Sequence, residues 1–133
     1  MAGGSVRAFE TCRPLFETSG PKITYCGPLG SGIRAKLAHQ LIICVNLLAA
    51  SEGMRLGLAS GLSPELLGKV VHEGAAQSRV ADNWFSGRMN PNAPAVFYKD
   101  LQLCLKFAHE LGLSAPGAAL AQQLVETIVP GRT

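Results

Sequence analysis

Residues 31–60 read SGIRAKLAHQLIICVNLLAASEGMRLGLAS, and this stretch decides the fold. From Ser31 the pattern is helical and stays so to about Ser60, which predicts one long α-helix. Its centre, 41–50, is apolar on nearly every side. A helix that is apolar all round is buried all round, and in so small a chain that is hard to arrange without a second copy. The run 37–50 is interrupted by His39, Gln40 and Asn46. It is shorter than the roughly 20 apolar residues of a membrane span, so it reads as a helix buried in protein, with no membrane involved.

Upstream, residues 5–19 place apolar side chains at Val6, Phe9, Leu15 and Phe16 of an amphipathic helix that stops at Gly20-Pro21, with Pro14 as a potential kink. Residues 23–26 (ITYC) are β-branched and end at Gly27-Pro28, which predicts a short strand. A strand of that length needs a sheet, and no convincing second strand follows. Downstream, Ser63-Pro64-Glu65 supplies an N-cap, a proline at the first helical position and an acid in the first turn, opening a helix to about Glu73. Residues 75–84 form a further short helix, 86–94 (SGRMNPNAP) a loop, 96–111 a helix stopped by Gly112, and 116–129 a last helix.

The chain has 133 residues, enough for one domain. Its residues are 47% apolar and 16% charged, which excludes a disordered or collagen-like chain. The net charge is only +3, with basic residues scattered along the chain, so a nucleic-acid partner is not expected. Cys12, Cys26, Cys44 and Cys104 show no C-x-x-C spacing, and His39, His72 and His109 are far apart, so no metal site is expected. Isolated thiols without a secretory leader read as reduced, mostly buried and cytoplasmic.

Gly30-Ser31-Gly32-Ile33-Arg34-Ala35 spells G-x-G-x-x-A between a strand and a helix, the pattern of a dinucleotide fingerprint. A true fingerprint sits in a strand–helix–strand unit of about 30 residues whose second strand ends in an acid for the ribose. Here the helix continues, and Glu52 lies on that same helix, so a self-contained cofactor site is not expected. Lys36 follows early in the helix. The positive helix terminus, Arg34 and the apolar run all disfavour a cation there, which suits an acid–base lysine; the plainer reading is a surface lysine. Gln40, at i+4, shares its face and offers a carboxamide to a hydroxyl or carbonyl. His39, at i+3, reads either as a neighbour of that face or as a hydrogen-bonded core histidine. Asp100 reads as an acid stabilising a helix start, whereas Lys99 beside it is mildly unfavourable there and asks for a phosphate or carboxylate partner.

Gly27-x-x-Gly30-x-Gly32-x-x-x-Lys36, then Glu52-Gly53-Met54 before Gly61-Leu62, then Lys99-Asp100-Leu101 resemble, in order and spacing, the β-hydroxyacid dehydrogenases. That family includes 3-hydroxyisobutyrate dehydrogenase and tartronate semialdehyde reductase and is related to 6-phosphogluconate dehydrogenase. The similarity covers almost the whole chain and is to the family's C-terminal half. It implies a mainly α fold, the 6-phosphogluconate dehydrogenase C-terminal-like helical domain with one long central helix, preceded by a short helix–strand remnant of a Rossmann domain. Residues 1–28 would be that remnant and 29–133 the helical substrate and dimerisation domain. By the same resemblance Lys36 is the catalytic proton donor and acceptor, Gln40 and His39 contact substrate, and Lys99 is on the cofactor side. The family usually has Asn where this chain has Gln40. The implied cofactor is NAD or NADP, bound mainly by an N-terminal domain that this chain lacks. The implied partners are a small hydroxyacid and a second copy of the chain, docked through the central helix. Lys36-x-x-His39-Gln40 is similar to the threonate-type branch. The family's Ser-Gly-Gly segment and its true dinucleotide fingerprint are missing, which implies that the chain is inactive alone. The alternative is a non-catalytic dimerisation or protein-interaction module derived from the family.

Overall fold

The structure, a computed structural model, describes residues 1–86, 90 and 92–129. Its long helix, α2, spans Ser31–Ala59 as the sequence predicts. Side chains three and four apart on a helix share a face. The buried Cys44, Leu47, Leu48, Ser51 and Met54 follow that spacing and make one stripe. Ile42 and Leu56, on other sides, are 58% and 73% exposed, so within one chain α2 is buried along a stripe and not all round. By length and composition alone α2 could cross a membrane, for it contains an 18-residue window of mean hydropathy 1.5.

The chain divides into two compact units, Met1–His39 and Gln40–Thr133. In the first, α1 covers Val6–Glu17. Ser5 caps it, its hydroxyl accepting from the Ala8 N–H at 3.1 Å, a contact worth about 1 kcal/mol. Pro14 lies inside the helix. Phe9 is the buried anchor, its ring centroid 5.0 Å from Tyr25 and 6.0 Å from Phe16, with the Arg13 guanidinium over its outer face. The expected strand at 23–26 is reduced to one parallel bridge between Ala2 and Tyr25. The Ala2 N–H donates to Thr24, the Cys26 N–H to Ala2 and the Gly4 N–H to Gly27, after which Ser5 already caps α1. The pairing therefore cannot lengthen past Gly4, and the described residues contain no strand.

The regular elements among the described residues of the second unit are all helices. After α2 come α3 (Pro64–Glu73), α4 (Arg79–Asp82), a 3₁₀ turn (Trp84–Ser86), α5 (Ala93–Glu110), α6 (Pro116–Gln123) and α7 (Val125–Ile128). The cap of α3 is as read from sequence: the Ser63 hydroxyl accepts from the Leu66 N–H at 3.2 Å. Gly57 lets Leu67 approach α2, since a Cβ there would lie 2.7 Å from a Leu67 methyl.

Three expected boundaries move. The helix expected at 75–84 is only α4 and the 3₁₀ turn. The loop expected at 86–94 lies partly outside the described residues, and its end belongs to α5, which starts at Ala93 with Pro94 in its first turn, where the missing N–H costs nothing. The last helix is broken at Leu124, whose carbonyl accepts from both the backbone N–H and the hydroxyl of Thr127. Leu47, Leu101, Ala118, Ala121 and Ile128 form the main core, and Met54, Leu67 and Ala81 a smaller one.

Candidate functional site

The candidate residues fall in both units. In the first, the segment before α2 turns through Gly27 (φ +114°) and Gly30 (φ +86°), backbone conformations that favour glycine. Gly32 serves close packing instead. A Cβ on Gly3 would lie 2.7 Å from the Gly32 nitrogen and 3.2 Å from that of Ser31, and a Cβ on Gly32 would lie 3.1 Å from the Gly3 nitrogen. The first turn of α2 is thus covered by the chain's own backbone at 1–3. A cofactor pyrophosphate needs those N–H groups open, so Gly30-Ser31-Gly32 does not fit one. Lys36 is half-buried and lines an open hollow with Met1, Gly32 and Ile33. His39 is exposed, which removes the core-histidine reading.

In the second unit the structure brings Gln40 and Lys99 together on a third residue, Asp100. The Gln40 amide Nε2 donates to Asp100 Oδ2 at 2.8 Å, and Lys99 Nζ pairs with Asp100 Oδ1 at 2.8 Å. The Asp100 side chain is 1% exposed and that of Lys99 59%. A buried carboxylate is costly unless its oxygens are satisfied, and here both are bonded. Next to it, one turn past Gln40 on α2, burial pushes the Cys44 thiol up to about 12, helped by Cys104 and by the negative charge of Asp100. Cys44 therefore stays a neutral thiol and is no nucleophile at ordinary pH.

Asp100 corrects the sequence reading. With α5 starting at Ala93, neither Lys99 nor Asp100 stands at a helix start, so the acid is not there to stabilise a terminus and Lys99 is not opposed by one. The signal that could have revealed it is the helical period: Phe97, Asp100, Leu101 and Cys104 share one stripe, and three of the four are buried. The exposed ammonium of Lys99 suits an anionic group such as a cofactor phosphate. Elsewhere in this unit a hollow of about 280 Å³, lined by Asn46, Gly53, Met54, Val71, Gln77 and Ala81 among others, contains none of the candidate residues.

The helical architecture recurs in a crystal structure of a 3-hydroxyisobutyrate dehydrogenase from Salmonella typhimurium, with a TM-score of 0.82 and 28% identity over 94% of this chain and 46% of that one. Among curated relatives, the uncharacterized oxidoreductase YkwC of Bacillus subtilis is 35% identical over 96% of this chain and 46% of its own length. The 2-hydroxy-3-oxopropionate reductase of Escherichia coli is 34% identical over 96% of this chain and 45% of its own. The chain thus spans about half the length of the curated relatives it matches. Residues 30–132 match the family described as NAD-binding of NADP-dependent 3-hydroxyisobutyrate dehydrogenase, and the chain belongs to that family.

Proposed function

We propose that this chain is the helical substrate-binding part of an NAD(P)-dependent oxidoreductase acting on a small hydroxyacid or its keto or semialdehyde form. The observation that carries this reading is the buried Asp100 carboxylate holding Gln40 and Lys99. Apolar residues of similar size would pack that position without the desolvation cost, so the polar cluster calls for a function. In this reading, residues 1–28 belong to a nicotinamide-binding domain and 29–133 form the helical domain. NAD(P)H, when bound with Lys99 on its anionic side, would supply the hydride that the carbonyl carbon takes up. The Lys36 ammonium gives a proton to the carbonyl oxygen, completing the alcohol, and takes it back in the oxidation direction. Gln40 and His39 orient the substrate, and Lys99 meets an anionic group of the cofactor. The threonate-type branch is the preferred substrate class, on the strength of His39-Gln40 alone.

Ile42, an apolar side chain exposed at 58% within the apolar stretch 41–50, supports a homodimer through the central helix. Light scattering at high concentration should give twice the chain mass, and a monomer would remove this part of the reading. The four thiols, none in a disulfide, suit a reducing compartment such as the cytoplasm.

The function is tested by a chimaera in which this chain replaces the matching half of the E. coli reductase, assayed with NADH and NADPH. Turnover by the chimaera, none by the chain alone, and a loss of ~100-fold or more in Lys36→Ala are expected. A folded chimaera that binds cofactor without turnover overturns the reading and favours the interaction module.

A further inference from the structure

We infer that Asp100 is a positioning residue that fixes which end of the Gln40 amide meets the substrate, and so makes this site a reader of hydroxyl groups. The inference rests on the functional reading above, in which Gln40 touches substrate. A carboxylate can only accept hydrogen bonds, so the amide end facing Asp100 must be the NH₂ end, as the 2.8 Å contact from Nε2 to Oδ2 records. The amide group is planar and rigid. With its nitrogen tied to Asp100, the carbonyl Oε1 is the end left for a ligand. An acceptor in that position takes a hydrogen bond from a substrate hydroxyl and repels a substrate carboxylate.

Lys99 holds the other oxygen of Asp100, at 2.8 Å, so the carboxylate is clamped from both sides and cannot turn away from Gln40. The same contact keeps the lysine's ammonium beside the cluster with its remaining N–H donors open to an anion. One buried acid thus sorts two neighbours into opposite tasks: Gln40 accepts and Lys99 donates. A substrate bearing a free hydroxyl near its reacting carbon fits this arrangement, and its deoxy analogue leaves Oε1 unpaired. Sites built to bond a hydroxyl discriminate strongly against analogues that lack it.

Two measurements test this. The first uses the ¹⁵N-labelled chain as it stands. One Gln40 side-chain N–H proton should resonate downfield and exchange slowly, and Asp100→Asn should abolish both properties; a Gln40 pair that looks solvent-exposed in the wild type overturns the inference without any variant having to fold. The second uses the chimaera described above. Asp100→Asn should raise KM for the hydroxylated substrate about tenfold or more with a smaller change in kcat, and should leave KM for the deoxy analogue nearly unchanged. Equal losses for both substrates would mean that Asp100 is merely structural, which overturns the positioning role. An inactive chimaera sinks the functional reading and the substrate half of this inference with it, while the spectrum still decides the pairing.

Discussion

The two units are built on different physics. Residues 1–39 rely heavily on backbone packed against backbone: one parallel bridge, and a contact between Gly3 and Gly32 too close for any side chain. Side chains add the Phe9 ring against Phe16 and Tyr25, the Tyr25 hydroxyl bonded to the Gly4 carbonyl, and the buried Leu37. Residues 40–129 hold together by interdigitated side chains, with Leu47, Leu101 and Ala121 fully buried. The comparison teaches that glycine does different work in each. In the first unit it is a steric requirement that fixes backbone paths, and a glycine pattern there is no sign of a phosphate site. In the second the informative residues are the polar ones that break an apolar stripe.

The largest expected effect is in the second unit. Leu47→Ala removes a side chain with no exposed surface, and a cost of about 3 kcal/mol is expected from urea denaturation. A cost below about 1 kcal/mol would deny that side-chain packing dominates there. In the first unit, Gly3→Ala forces a Cβ against the Gly32 backbone, which cannot rotate away as a side chain can. A cost of about 2 kcal/mol is expected, with faster amide exchange in the first turn of α2 and unchanged protection around Leu47. Loss of protection in both places would blur the distinction between the units. Gly30→Ala, at φ +86°, should cost about 1 kcal/mol through backbone strain alone.

The smallest effect belongs to the exposed contact between His72 and Asp82, whose Nδ1 and Oδ1 lie 2.8 Å apart. The hydrogen bond to Asp82 raises the pKa of His72, and the bond from His72 lowers that of Asp82. A raised histidine stabilises fully below its ordinary 6.5 and loses that contribution as pH rises through its folded value. A depressed aspartate stabilises fully above its ordinary 3.8 and loses that contribution as pH falls through its folded value. The Tm difference between wild type and His72→Gln should therefore be greatest between these two pH values and fade on either side. A difference that does not vary with pH would mean that the pair does not form.

Much of this was legible in the sequence where local chemistry and tertiary structure agree. The start of α3 was readable because the Ser63 hydroxyl and the Pro64 ring act on backbone within one turn of themselves, and α2 because nothing in its sequence interrupts it. The start of α5 was not, since Ala93-Pro94 reads equally as the end of a loop. That one displacement also hid Asp100: placed near a helix start it looked like a terminal acid, whereas counted from Ala93 it lies on the buried stripe. Lys36, Gln40 and Lys99 were named from pattern and resemblance. The bond from Gln40 to Asp100 spans 60 residues of sequence and needs the packing of α2 on α5 to be seen. The short strand failed because β structure depends on a partner, and Ala2 offers only one bridge.

The four cysteines divide evenly between the units, Cys12 and Cys26 in the first, Cys44 and Cys104 in the second. The first two are partly accessible and the second two are buried. An alkylating reagent therefore finds a fast pair and a silent pair, and the silent pair reacts only when the helical unit opens. The chain thus carries its own clock for the helical unit, and mass spectrometry of timed alkylation would time that opening against the fast pair as an internal reference, with no probe added.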